Sequence, residues 1–205
     1  MAKPIGIPFI TKIAIIALVI ASTLAYSVIK KRKIDSITSS ENDLILKELP
    51  VFSLPTLNSG PPITQENLFQ ENKKAMLIHF WGTWCAPCEA ELPEFIQFVT
   101  ALEKKGVGAI LLAVQDDDKK IKKFMKRFGK LPSNIRLAHD KSGNSMITFG
   151  TVKVPETYLF SRSGKNLNKY IGPQDWAHRS ALDRVEFYLS SLNKSDKKSY
   201  KIETH

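Results

Sequence analysis

The most constraining stretch of the chain is a short apolar run, Ala75–Phe80 (AMLIHF), that leads directly into the two cysteines of the sequence, Cys85 and Cys88. Such a run suits a buried β-strand. Beyond the cysteines, Phe95, Phe98, Val99 and Leu102 recur at helical spacing, so strand gives way to helix at the cysteine pair. The same alternation repeats. Gly108–Val114 (GAILLAV) reads as a second buried strand, and Ile121, Phe124, Met125 and Phe128 follow at i, i+3, i+4 and i+7 with lysines on the opposite face. Asn134–Ala138, Thr157–Phe160 and Lys169–Ile171 are further strands, and Ser161–Gly164 is the hairpin turn between the last two. A final helix is expected over about Asp175–Leu192, with Asp175 as its N-cap. Strands alternating with helices imply an α/β sheet with right-handed crossovers, and the late hairpin makes that sheet mixed.

Composition and charge limit what surrounds this core. A chain of 205 residues, 43% hydrophobic and 24% charged, holds one ordinary domain plus appendages. Wholesale disorder, a collagen-like sequence and a polytopic membrane protein are excluded. The net charge of +10 is uneven: residues 1–33 carry six basic residues and no acid, so the other 172 hold 24 basic against 20 acidic, or +4. The excess positive charge therefore marks one N-terminal segment and not a nucleic-acid-binding domain. Between Ile13 and Ile29 lie 17 residues without a charge, about 26 Å as a helix, which suits a single membrane anchor with Lys12 snorkelling. A cleaved signal peptide ending near Ala25 is the alternative, although Lys30–Lys33 would then stand a few residues into the mature chain. The charges flanking the span differ by about one and do not set its orientation. Residues 31–46 read as a polar linker, 47–192 as a compact domain and 193–205 as a lysine- and serine-rich tail.

The chemistry is concentrated in Phe80–Pro93 (FWGTWCAPCEAELP). At the start of a helix, backbone N–H groups and the helix dipole favour a thiolate at Cys85. Pro87 is tolerated in the first turn, where N–H groups have no intrahelical partner. Cys88, one turn on, is placed to attack a mixed disulfide formed by Cys85. A zinc half-site would need two more ligands, for which the chain offers four scattered histidines. A structural disulfide would close a tiny loop and stabilise little. Two inert core cysteines would not need a strand–turn–helix setting.

These motifs resemble the membrane-anchored TlpA/ResA/DsbE-type thioredoxin-like thiol-disulfide oxidoreductases. The resemblance runs from Leu49–Pro55 (LPVFSLP) through Phe80–Pro93 to Val154–Phe160 (VPETYLF). It implies a thioredoxin-like fold with an extra helix and strand between Cys88 and Pro155. It also implies that Cys85 attacks, Cys88 resolves, Pro93 kinks the active-site helix, and Trp84, Val154 and a cis Pro155 bind substrate. Glu91 matches an acidic residue that assists proton handling, against the bland reading of an early-helix acid complementing the dipole. Glu156 matches the Pro-Glu-Thr of the cytochrome c maturation branch, against that of a surface acid at a strand start. His79 departs from the family's Asp or Asn. It either accepts the Cys88 proton or, as favoured here, is a strand histidine satisfied by its neighbours.

Ala86 and Pro87 between the cysteines lack the histidine of strong thiol oxidases, which favours reductase or isomerase work. The expected protein is therefore a disulfide reductase on the outer side of a bacterial inner membrane, without cofactor or metal. Its expected partners are disulfide-bonded extracytoplasmic proteins, including apocytochrome c, and a transmembrane electron donor. Copper handling through Cys85, Cys88 and a distant histidine is the competing function.

Overall fold

The computed structural model describes residues 15, 18–26, 46–57, 60–69 and 73–202, with side chains to 192. The chain divides into two units, Met1–Ile45 and Leu46–His205. In the first, residues 18–26 are helical and expose Leu18, Val19, Ile20, Leu24 and Tyr26. Nine of the nineteen residues of the expected 12–30 anchor lie outside the described residues, and no helix among those described is long and apolar enough to cross a membrane.

The second unit is built on a five-stranded sheet of order β5-β4-β3-β6-β7. Its strands are β3 (Ala75–Trp81), β4 (Val107–Val114), β5 (Ile135–Asp140), β6 (Glu156–Ser161) and β7 (Asn166–Ile171). β3 pairs in parallel with β4, and β4 with β5, while β6 and β7 run antiparallel, giving the mixed sheet expected. All seven residues of β3 are buried, as a central strand covered on both faces requires. Four helices follow in chain order: α1 (Ala86–Ala101), α2 (Asp118–Met125), α3 (Asn144–Phe149) and α4 (Arg179–Ile202).

Strand alternation sorts the core into two layers. Ala75, Leu77 and Trp81 of β3 pack with Leu92, Phe95 and Val99 of α1, Ile121 and Phe124 of α2, and Ala181 and Val185 of α4. Met76, Ile78 and Phe80 face the other way, onto Phe149 of α3 and an N-terminal hairpin of β1 (Ser53–Leu54) and β2 (Ile63–Thr64). His79, lying between Leu77 and Trp81, therefore points beneath α1.

Two expectations at the helices need correction. The last helix starts at Arg179, so Asp175 is not its N-cap. The Asp175 carboxylate accepts from the His178 N–H at 2.9 Å, closing a turn ahead of the helix, and the Ser180 N–H donates to the His178 ring at 3.2 Å. The helix α3 and the β1–β2 hairpin carry no periodic signal in the sequence, each being too short for one.

Candidate active site

The site forms where β3 ends. Gly82, Thr83 and Trp84 turn the chain from β3 into α1, and that turn is tied to the end of β4. The Thr83 N–H and hydroxyl donate to the two Asp116 carboxylate oxygens at 2.6 and 2.9 Å. The Trp84 indole N–H donates to the Val114 carbonyl at 3.1 Å. Gly82 lies so close beneath that indole that a Cβ there would meet Trp84 Nε1 at 2.6 Å, so a larger residue would push the indole off the Val114 carbonyl.

Cys85 is the N-cap of α1, with extended backbone (φ −105°, ψ 97°), and Pro87 sits in the first turn. The Cys88 N–H donates to Cys85 Sγ at 3.3 Å, so the N-terminus of the helix is aimed at that sulfur. Cys85 and Cys88 form a disulfide with Cα atoms 5.3 Å apart. Cys88 is wholly buried, whereas Cys85 is 6% exposed. Of the two sulfurs, Cys85 is thus the one that an incoming disulfide can reach. The pair lies against a second loop. The Val154–Pro155 peptide bond is cis, and Cys85 Sγ is 3.8 Å from the Val154 carbonyl oxygen. Trp84 is 53% exposed beside them, an apolar ledge at the mouth of the site. Among the described residues, no group of three or more His, Cys, Asp or Glu side chains could hold a metal ion.

Glu91 and His79 lie under this surface. Glu91, three residues after Cys88 on the same helical face, is buried. Burial pushes its carboxyl up to about 7, and nearby Glu94 adds to the push. Opposing them, the Gln174 N–H donates to Oε2 at 2.7 Å, and the Trp176 indole N–H faces the carboxyl outside hydrogen-bonding geometry. His79 is fully buried, and burial holds its imidazole down to about 3, so it is neutral. Its Nδ1 is 2.8 Å from the Thr157 hydroxyl and its ring stacks on Phe95. His79 Nε2 stands 3.7 Å from Glu91 Oε1, a contact between a neutral ring and a carboxyl rather than an ion pair.

Glu156 differs from the surface residue expected. It is 1% exposed, pairs with Lys169 Nζ at 3.0 Å, and lies with Phe80 on the sheet face opposite α1. Asp116, Gln174 and Trp176 carried no motif in the sequence, and Thr157 stood there only as the last residue of Pro-Glu-Thr. They enter the site through β6, the end of β4 and the loop after β7, pairings that no local pattern announces.

Comparison with known proteins agrees with this geometry. Residues 45–165 match the family model described as "AhpC/TSA family". The chain is 31% identical over 156 residues to a thiol-disulfide oxidoreductase ResA of Bacillus thuringiensis subsp. konkukian, covering 76% of this chain and 82% of the relative. It is 30% identical over 132 residues to a thiol:disulfide interchange protein DsbE of Pseudomonas fluorescens biotype C, covering 64% and 69%. A solved structure from Chlorobium tepidum, described as a thiol:disulfide interchange protein DsbE, superposes with a TM-score of 0.59 at 20% identity. It covers 71% of this chain and 99% of that one, a likeness of fold.

Proposed function

Because the chain belongs to the AhpC/TSA family and is a thioredoxin-like thiol-disulfide oxidoreductase of the ResA and DsbE type, we propose that it works as a reductase of disulfides in extracytoplasmic proteins. The observation that carries this reading is the Cys85–Cys88 disulfide at the N-terminus of α1, beside the cis Val154–Pro155 bond. In the dithiol form Cys85, the more exposed and helix-capping sulfur, attacks a substrate disulfide as the thiolate. One substrate sulfur departs with the electron pair and takes up a proton, leaving the other bonded to Cys85. Cys88 then gives its proton to the Glu91 carboxylate and attacks Cys85. The Cys85–Cys88 bond forms, and the second substrate sulfur leaves as the thiolate. Two protein thiols are oxidised and one substrate disulfide is reduced.

Trp84, Val154 and Pro155 form the substrate surface in this reading. The apolar ledge packs on the substrate chain, and the loop at the cis bond offers backbone to an extended segment. Residues 12–30 anchor the protein in the bacterial inner membrane, 31–46 tether it, and 47–192 act outside the cytoplasm. A transmembrane electron carrier restores the dithiol. Apocytochrome c, whose haem-site cysteines must be reduced before haem is attached, is the narrower substrate.

The direction is tested by the reduction potential of the purified chain in a thiol buffer. Without a histidine between the cysteines, the couple is expected to lie well below the roughly −120 mV of a strong thiol oxidase. Cys85→Ser should abolish reduction of a model peptide disulfide. A potential near that of the oxidase would reverse the assigned direction.

A further inference from the structure

Two buried polar atoms beneath the disulfide face each other and find no hydrogen bond elsewhere: His79 Nε2 and Glu91 Oε1, 3.7 Å apart. The unpartnered Trp176 indole N–H also faces the Glu91 carboxyl, and the other atoms of the two groups are held. His79 Nδ1 is 2.8 Å from the Thr157 hydroxyl, its ring lies against Phe95 at 4.3 Å between centroids, and Glu91 Oε2 holds the Gln174 N–H at 2.7 Å. The gap is too narrow for a water to stand between them. A closure of under about 1 Å makes it a hydrogen bond. A neutral imidazole carries one N–H, and the partner at one nitrogen decides which nitrogen bears it.

We propose that His79 is a positioning residue for thiol exchange: the Thr157 hydroxyl donates to Nδ1 and so places the proton on Nε2, which is directed at Glu91 Oε1 and holds that carboxylate ready for the Cys88 proton. The inference rests on the reading of Glu91 as the acceptor of that proton. His79 itself gains and loses no proton. Its N–H serves the carboxylate before transfer, and the carbonyl oxygen of the acid after it. This departs from both earlier expectations for His79, since it is neither the base nor a histidine satisfied by structure alone.

The surroundings leave few groups to confuse a test. Cys88 and Glu94 face the pair from α1, Thr157 from β6, Tyr170 from β7, and Gln174 and Trp176 from the loop beyond it. Glu94 is an exposed carboxylate. Burial raises the Tyr170 phenol above its usual range, and Arg184 lies across that ring at 5.2 Å. In the reduced chain Glu91 and the two thiols, Cys85 and Cys88, are then the groups whose ionisation the profile reads, and the Glu91 limb is the one that Glu91→Gln removes.

The experiment measures single-turnover reduction of a peptide disulfide by the reduced full chain from pH 5.5 to 9.5. Wild type is compared with His79→Leu, Glu91→Gln and the double variant. Losing the N–H donor destabilises the carboxylate, so His79→Leu should move the acid limb up by about one pH unit. Its rate should fall about fivefold at pH 7 and recover above pH 9. Glu91→Gln should abolish the limb, and adding His79→Leu to it should change the rate less than about twofold. In parallel, the imidazole nitrogen resonances of ¹⁵N-histidine-labelled wild type should report a neutral ring with its proton on Nε2 throughout. Thr157→Val should let the proton spread to Nδ1. A pH-independent slowing by His79→Leu, equal in both backgrounds, would overturn the inference, as would a proton resident on Nδ1 in wild type. An abolished limb in Glu91→Gln with an unmoved one in His79→Leu overturns the inference alone. A wild-type profile in Glu91→Gln overturns the reading of Glu91, and the inference with it.

Discussion

Glu91 carries an acid whose folded and unfolded affinities for the proton differ. Burial raises its carboxyl from 4.5 to about 7, so the folded state prefers the neutral acid. Its stabilising contribution is therefore complete below about pH 4.5 and is lost as pH rises through 7. The accumulated cost at pH 8 is of the order of 3 kcal/mol. Glu91→Gln keeps an oxygen for the Gln174 N–H and removes the charge. In denaturant unfolding of the oxidised protein it should match wild type at pH 4 and exceed it by about 2–3 kcal/mol at pH 8. A variant that is less stable at both pH values would show that the carboxylate is better accommodated than its burial implies. At this scale the sequence was legible in residue type and spacing, but not in environment. Cys85, Cys88 and Glu91 stand out along one helix turn pattern, whereas the atoms that define the chemistry of His79 and Glu91 come from Thr157 and Gln174. Those partners lie 78 and 83 residues away along the chain.

Elements with a long apolar period were readable, and those held by a side chain from elsewhere were not. Strands β3 and β4 emerged within a residue of their observed ends, because a buried central strand has no polar face to obscure it. The short α3 has no N-cap side chain of its own, since Gly143 occupies that position. Its start is held instead by Asp140, at the end of β5. One carboxylate oxygen accepts from the Ser142 hydroxyl and the Ser142 and Gly143 N–H groups, and the other accepts from the Ser145 N–H at 2.6 Å. Burial alone would push Asp140 up, but the bonds from Ser142, Ser145 and Gly143 outweigh it and hold the carboxyl below its usual range. Stability from this group is thus full above the ordinary aspartate range and lost as pH falls through the depressed value. Asp140→Ala should destabilise the protein by about 2 kcal/mol at pH 7, a gap that narrows toward pH 3 in thermal or denaturant unfolding. A pH-independent loss would assign the effect to packing.

The whole molecule joins a basic, apolar N-terminal segment to a nearly balanced domain, and its proposed orientation follows from the chemistry of the domain rather than from the anchor. Six basic residues lie within 1–33, on both sides of the uncharged run, and their near balance leaves topology undecided by charge. A reductase with a buried resolving thiol and a more accessible attacking one is useful where disulfides persist, which in bacteria is beyond the inner membrane. Trapping reads orientation and mechanism together. Cys88→Ser leaves Cys85 at the helix N-terminus, still able to attack, and removes the thiol that would release the product. The full chain carrying this change should accumulate mixed disulfides on Cys85 in cells, and gel shifts reversed by reductant should reveal them. Cys85→Ser should accumulate none. The partners recovered should be extracytoplasmic proteins, with apocytochrome c among them if the narrower substrate holds. A reporter fused after Leu192 should be active outside the cytoplasm and remain with the membrane fraction. Adducts confined to cytosolic proteins, with a cytoplasmic reporter, would mean that Lys30–Lys33 had set the topology and that the thiol chemistry operates on the inner side. Extracytoplasmic adducts lacking cytochrome would keep the reductase and discard only the haem-site substrate.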